Sequence, residues 1–448
     1  MSKKIAFIGA GSTIFMKNIV GDALQLESLA DATYALMDID AKRLEESAAV
    51  ATALARLAGG GAQIETHSDQ RRTIEGADFV IVAFQIGGYE PCTVTDFEVP
   101  RAYGLRQTIA DTLGVGGVMR GLRTVPHLWR LAEDMRAVCP DATLLQYVNP
   151  MAINTWALTE RYPDIKQVGL CHSVQNTVME LAHDLDMEIG DFRYQVAGVN
   201  HVAFFTKLED AAGRDLYPLL RDGYAAGRLP KPPLLMPRCA NKVRYEVMNQ
   251  LGYFCTESSE HLAEYVPWFI KDGREDLIET FSIPLDEYPA RCEEQRADWA
   301  EQAVAHREGR GVELTKSHEF AAELMDAVVT NRPYTIYGNL PNAGQIPQLP
   351  MGAAVETPCL VDSNGVQPTV VADIPPQLIA LMRTQLNVQE LTVRALVDQD
   401  VEHVYHAAMM DPHTAAELDL RQIRSLVDDL LAAHGDWLPE FARPRKAA

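Results

Sequence analysis

The sequence predicts an α/β protein, with an N-terminal Rossmann-like, doubly wound parallel sheet and an α+β C-terminal domain. Three observations carry this. Short apolar runs alternate with helical stretches through the first half of the chain, the pattern of repeated strand–helix units. The run Phe79–Phe84 is nearly all apolar, as a strand buried on both faces of a parallel sheet requires. A glycine turn, Gly9-Ala10-Gly11-Ser12, directly follows the first run and opens a helical stretch.

Taken in order, Lys3–Ile8 reads as a strand, and an apolar-periodic helix extends toward Leu29. Thr33–Met37 is a second strand, closed by Asp38-Ile39-Asp40, and a helix follows over Ala41–Leu57. Phe79–Phe84, a helix near Val118–Val138, the run Thr143–Val148, a helix after Pro150 and the run Gln167–Cys171 continue the alternation. From Phe192 the texture changes. Tyr194–Val196 and Val202–Leu208 alternate like antiparallel strands, and Leu229–Pro237 is a proline-rich loop. Beyond Ile374 the chain is helical again and ends in a basic Arg443-Pro444-Arg445-Lys446 tail. The boundary falls near residue 197, giving a nucleotide-binding domain over 1–197 and a substrate, metal and oligomerisation domain over 198–448. Gln377–Leu438 carries more apolar surface than a single helix layer needs, which predicts a homodimer or homotetramer.

The 448 residues carry a formal charge of −22, 47% hydrophobic and 23% charged residues. That acidity argues against nucleic-acid and anionic-membrane partners, whose phosphates attract basic surfaces. No apolar run approaches the ~20 residues of a membrane span. The N-terminus shows no signal-peptide core, and seven cysteines without a Cys-x-x-Cys pair read as reduced thiols in a cytoplasmic protein.

Gly9-x-Gly11 between strand and helix suits a dinucleotide pyrophosphate, with Ser12 and Thr13 at the helix start. Ile14 holds the place of the third glycine of that fingerprint. Asp38, at the end of the second strand, is placed to hold ribose hydroxyls, which favours NAD over NADP. Other candidate residues follow the later strands. Asn149-Pro150 closes one, Cys171-His172-Ser173-Val174 closes the next, and Asn200-His201 comes soon after. A cysteine and a histidine brought together can hold a divalent transition metal; kept apart, they are a buried thiol and a core imidazole. Tyr265 reads by itself as a semi-buried aromatic, and Asp111–Gly117 as either a plain helix start or an active-site lid.

Together these segments resemble glycoside hydrolase family 4. The resemblance runs through Gly9-Ala10-Gly11-Ser12, Gly114-x-Gly116-Gly117, Arg120-x-x-Arg123-Thr124-x-Pro126, Asn149-Pro150, Cys171-His172-Ser173-Val174, Gly198-x-Asn200-His201 and Glu264-Tyr265-x-Pro267-Trp268. It continues through Asn339-Leu340-Pro341-Asn342-x-Gly344 and Val355–Val361 to Asn364-Gly365. It implies a fold of the lactate/malate dehydrogenase type. It also implies an NAD-mediated glycosidase rather than the usual two-carboxylate scheme. In the implied reaction NAD⁺ oxidises the sugar at C3, a divalent metal (usually Mn²⁺) assists C2 deprotonation, the aglycone leaves from C1, water adds, and hydride returns. By the same resemblance Cys171 and His201 are metal ligands and Tyr265 is the C2 base. Asn149, Asn200 and Arg291 meet the sugar, and His172 stands where relatives place a leaving-group acid. The Cys-His-Ser-Val form is similar to members that hydrolyse unphosphorylated α-galactosides of the melibiose type. An α-glucosidase or α-uronidase of the family, a true NAD-dependent sugar or 2-hydroxy-acid dehydrogenase, and a non-catalytic sugar or nucleotide sensor are the alternatives.

Overall fold

The computed structural model describes residues 2–235, 238–307 and 312–443. The end of the proline-rich loop and the basic tail beyond Arg443 lie outside the described residues.

Among the described residues, eleven strands form one sheet: β1 (Lys4–Ile8), β2 (Thr33–Met37), β3 (Gln63–His67), β4 (Phe79–Val82), β5 (Thr143–Gln146), β6 (Lys166–Gly169), β7 (Arg193–Val199), β8 (Val202–Glu209), β9 (Tyr334–Pro341), β10 (Ala354–Asp362) and β11 (Gly365–Pro368). Their order is β3-β2-β1-β4-β5-β6-β9-β10-β7-β8, with β11 on β10. The first six are parallel and take the Rossmann order. β1 shows why such strands read as unbroken apolar runs. Ile5 and Phe7 enter the core shared with the helices Thr13–Leu24 and Ala41–Ala58, whereas Ala6 and Ile8 enter the one shared with Gly114–Val138 and Met151–Arg161. The helix Ala41–Ala58 starts where Asp40 accepts hydrogen bonds from the Lys42 and Arg43 amides, and stops at Gly59 in a left-handed conformation. Among the described residues, no helix is long and apolar enough to cross a membrane.

The strands after β6 are antiparallel. β9 meets β6 at one pair, Gly169↔Asn339, then carries β10, which in turn pairs with β7 through Glu356↔Gly198. Residue 197, where the sequence divides, therefore lies within a strand of the common sheet. The helix starting at Gly114 buries Gly116 and Gly117 inside its first turn, so the glycine-rich segment is a helix start and not a lid. Over Gln377–Leu438 much of the apolar surface is buried within the chain: Leu386, Val404, Leu426 and Leu430 join the core that contains Leu122 and Val125, while Met410 and Leu420 stay exposed.

Buried ionisable groups knit this architecture. Arg123 donates from Nη1 to Asp96 Oδ1 at 3.2 Å, from Nη2 to Oδ2 at 2.5 Å and from Nε to the Ile86 carbonyl at 3.2 Å; His434 Nε2 lies 2.8 Å from the same Oδ1. Arg123, read as part of a motif, is thus structural. Glu356, in β10, is fully buried and accepts from Asn339 Nδ2 at 3.2 Å. Burial pushes its pKa up from 4.5 to about 7, against the His201 charge. Between those two values the folded chain binds more protons than the unfolded one, so stability falls as pH rises through the window. The full effect is about 3 kcal/mol. Urea midpoints at pH 5 and pH 8 are expected to fall further for the wild type than for Glu356→Gln; equal falls would refute this.

Candidate active site

At the nucleotide end, Gly9 has φ of +89°, and a Cβ there would lie 2.5 Å from the Ala83 carbonyl oxygen. The Gly11 amide donates to Asp38 Oδ2 at 2.8 Å, and a Cβ on Gly11 would come within 2.6 Å of that oxygen. Glycine is therefore demanded at both positions, and Asp38 is fixed at the mouth of the turn. Ser12, at the helix N-terminus, makes no side-chain capping hydrogen bond, and its own amide donates to the Gly9 carbonyl at 3.0 Å. The Thr13 hydroxyl is engaged within the fold, 2.9 Å from Ser47 Oγ.

The second cluster forms where the ends of β6 and β7 meet the helix Ser259–Tyr265. Asn200-His201 is the tight turn between β7 and β8, and His201 adopts φ of +66°, a strained conformation for a non-glycine residue. Its Nε2 lies 3.4 Å from Cys171 Sγ and 3.0 Å from Glu257 Oε2; its Nδ1 is hydrogen-bonded to the Tyr265 hydroxyl at 3.0 Å. Burial disfavours an imidazolium at His201, yet Glu257 and Cys171 push its pKa up to about 10. Glu257 is held down to about 2, because the His201 and His261 charges outweigh its own burial. Tyr265 is completely buried, which drives its phenol well above the usual range, with the nearby carboxylates adding to the effect. Ionising it needs added positive charge. Asn200 is also fully buried, and its side-chain amide has no hydrogen-bond partner on either atom.

Around this cluster, Asn149 Nδ2 is 3.4 Å from Asp111 Oδ2, and Asp111 lies 3.5 Å from Arg120 Nη1. Glu264 accepts three successive amides, Thr108, Ile109 and Ala110, at 2.8, 3.1 and 2.8 Å. It thereby ties the helix that carries Tyr265 to the loop that carries Asp111. Burial still pushes Glu264 up to about 7, against those donors. Arg291 stands further out, bonded from Nη2 to Glu260 at 3.4 Å and Glu287 at 3.3 Å. His172 takes a different surrounding from Cys171. Its Nε2 is 2.7 Å from Glu319 Oε2, and its ring is stacked on Tyr147 between Phe15 and Phe320.

Cys171, His201 and Tyr265 are thus brought into contact, Asn149 reaches them only through a neighbour, and Arg291 and His172 belong to adjoining clusters. Sequence reasoning did not find Glu257, Asp111 or Glu319 as site residues, and quoted Glu264 only as part of a motif. Asp111 heads the glycine-rich segment and Glu264 precedes Tyr265, so position could have flagged both. For Glu257 and Glu319 the chain offers no local signal.

Fold and site together define a dinucleotide-fold enzyme whose reactive groups converge at the carboxyl ends of the strands. The model of family 4 glycosyl hydrolases matches residues 4–187, and that of the family's C-terminal domain matches 196–414. The chain belongs to glycosyl hydrolase family 4. It is 45% identical over 439 residues to an alpha-galactosidase of Bacillus subtilis (strain 168), covering 98% of this chain and all of that protein. A solved 6-phospho-alpha-glucosidase from gut microorganisms, in complex with NAD and Mn2+, superposes with a TM-score of 0.81 at 20% identity, over 98% of this chain and 100% of that one. A lactate dehydrogenase of Cryptosporidium parvum superposes with a TM-score of 0.54 at 13% identity, over 89% and 99% of the respective chains. The dehydrogenase-type fold expected from the sequence is therefore present.

Proposed function

We propose that this chain hydrolyses unphosphorylated α-galactosides of the melibiose type with NAD and a divalent cation, Mn²⁺ foremost. The observation that carries the reading is the Cys171–His201–Tyr265 contact, closed between β6, the β7–β8 turn and a distant helix in a chain of this family. The residues fit both groups. The Gly9–Gly11 turn at the start of the helix Thr13–Leu24 and the Asp38 carboxylate suit a dinucleotide. A thiol and an imidazole nitrogen 3.4 Å apart suit a transition metal, and the partnerless Asn200 amide suits a polyhydroxyl ligand beside it. When bound, the nicotinamide supplies reversible hydride transfer and the cation supplies Lewis acidity.

The chain's own groups do the rest. Asn149, Asn200 and Arg291 hold sugar hydroxyls and fix the ring. Tyr265 Oη takes the proton from C2, and its contact with His201 Nδ1 aims the oxygen. His172, fixed through Nε2 by Glu319, holds a proton for the departing aglycone oxygen. The acidic surface suits a neutral galactoside better than a sugar phosphate, which would call for clustered arginines. Seven unpaired cysteines support a reducing, cytoplasmic setting. Met410 and Leu420, exposed on the C-terminal helices, support a homodimer or homotetramer.

The test is a panel of nitrophenyl α-glycosides assayed with Mn²⁺, NAD⁺ and a thiol. The galactoside is expected to react fastest, and in D₂O the released sugar is expected to carry deuterium at C2 without NADH building up. A glucoside or uronide reacting as fast would move the assignment to another sugar of the family. Steady accumulation of NADH without glycoside cleavage would make the chain a dehydrogenase.

A further inference from the structure

We propose that Glu257 is a third protein ligand of the cation held by Cys171 and His201, which makes the centre a thiolate–imidazole–carboxylate set. This rests on the metal-dependent reading above. His201 has one nitrogen to give, because Nδ1 is occupied by the Tyr265 hydroxyl at 3.0 Å. The remaining Nε2 is the atom that faces both Cys171 Sγ at 3.4 Å and Glu257 Oε2 at 3.0 Å. One donor atom from each of the three side chains lies within 4.8 Å of the other two, so all three can reach a single ion.

Cys171 Sγ and Glu257 Oε2 converge on the same nitrogen, so an ion bonded to Nε2 would lie within reach of both. The carboxylate side chain is only 13% exposed, and a buried carboxylate without enough positive charge beside it is costly. Its Oε1 is already held by the Ser258 amide at 2.9 Å, which leaves Oε2 turned toward the shared point. Binding the cation through Oε2 removes the cost, and one thiolate with one carboxylate balances a divalent charge. The carboxylate also supplies a hard oxygen beside the soft sulfur, and oxygen donors suit Mn²⁺. A six-coordinate ion with three protein ligands would keep three positions, which is room for both oxygens of a vicinal diol and one water.

Metal-stripped full-length protein, titrated with Mn²⁺ and followed by the magnetic-resonance signal of free Mn²⁺, tests this without turnover. Glu257→Gln is expected to weaken Mn²⁺ binding at least about 10-fold while NAD⁺ binding stays as in wild type. With Co²⁺ in place of Mn²⁺, the same variant is expected to keep the sulfur-to-metal absorption band and change the ligand-field bands; Cys171→Ser is expected to lose the sulfur band. Wild-type Mn²⁺ affinity and an unchanged Co²⁺ spectrum in Glu257→Gln would overturn the proposal. Should that variant fail to bind NAD⁺, and so be misfolded, a crystal structure of the Mn²⁺-loaded wild type decides: a Glu257 oxygen bonded to the ion supports the assignment, and a Glu257 turned away refutes it. If Mn²⁺ binds through Glu257 but no glycoside is cleaved, the functional reading fails and the ligand set stands.

Discussion

Cys171→Ser is expected to reduce galactoside turnover by about 10³-fold, even with Mn²⁺ in excess, and to leave the purified protein without bound metal. The two side chains have nearly the same shape, so the loss is chemical rather than steric. A thiol bound to a cation gives up its proton and contributes a full negative charge and a polarisable donor. A serine hydroxyl keeps its proton and offers a neutral oxygen. His201 also loses the Cys171 sulfur as a neighbour, while Glu257 remains 3.0 Å from its Nε2. Initial rates across a Mn²⁺ titration, together with metal content after gel filtration, measure both effects. A serine variant with wild-type rates would remove Cys171 from the reaction.

Asp96→Ala is expected to cost about 3–5 kcal/mol of folding stability. Removing the carboxylate strands Arg123, whose side chain is fully buried, and takes from His434 its acceptor. The guanidinium keeps only the Ile86 carbonyl. For a protein whose whole margin is about 5–15 kcal/mol, that is a large share. Chemical denaturation read by far-UV circular dichroism gives the number. Replacing both partners, as in D96L with R123M, is expected to recover much of the loss, because no unpaired charge then remains inside. If the single and double variants fall equally, the pair is not the source of the effect.

The N-terminal half was legible because its physics is local. β1, β2 and β4 are buried on both faces by helices, so each must be an apolar run, and Gly9 and Asp38 sit at their ends in fixed positions. β3 escaped notice because it lies at the sheet edge and its residues stay partly exposed. β9 and β10 escaped for another reason: they join the sheet between β6 and β7 after more than a hundred intervening residues, and no local pattern encodes such a pairing. The site divides in the same way. Cys171, His201 and Tyr265 were found through motifs shared with a family. Glu257 and Glu319 became visible only when the fold placed them on His201 and His172. Much of the apolar surface read over Gln377–Leu438 goes into the chain's own core, and Met410 and Leu420 are what remains exposed.

The strand order has a consequence for how this enzyme is divisible. The two matched segments meet between residues 187 and 196, where a molecular biologist would be tempted to cut. Yet β9 and β10 sit inside the sheet between β6 and β7, and Glu264 of the second segment is gripped by the amides of Thr108–Ala110 in the first. A fragment ending at the seam would carry β6 as a raw edge, an unclasped loop around Asp111, and one half of a thiol–imidazole pair. The two segments therefore share one sheet across the seam, and neither carries the thiol–imidazole pair by itself.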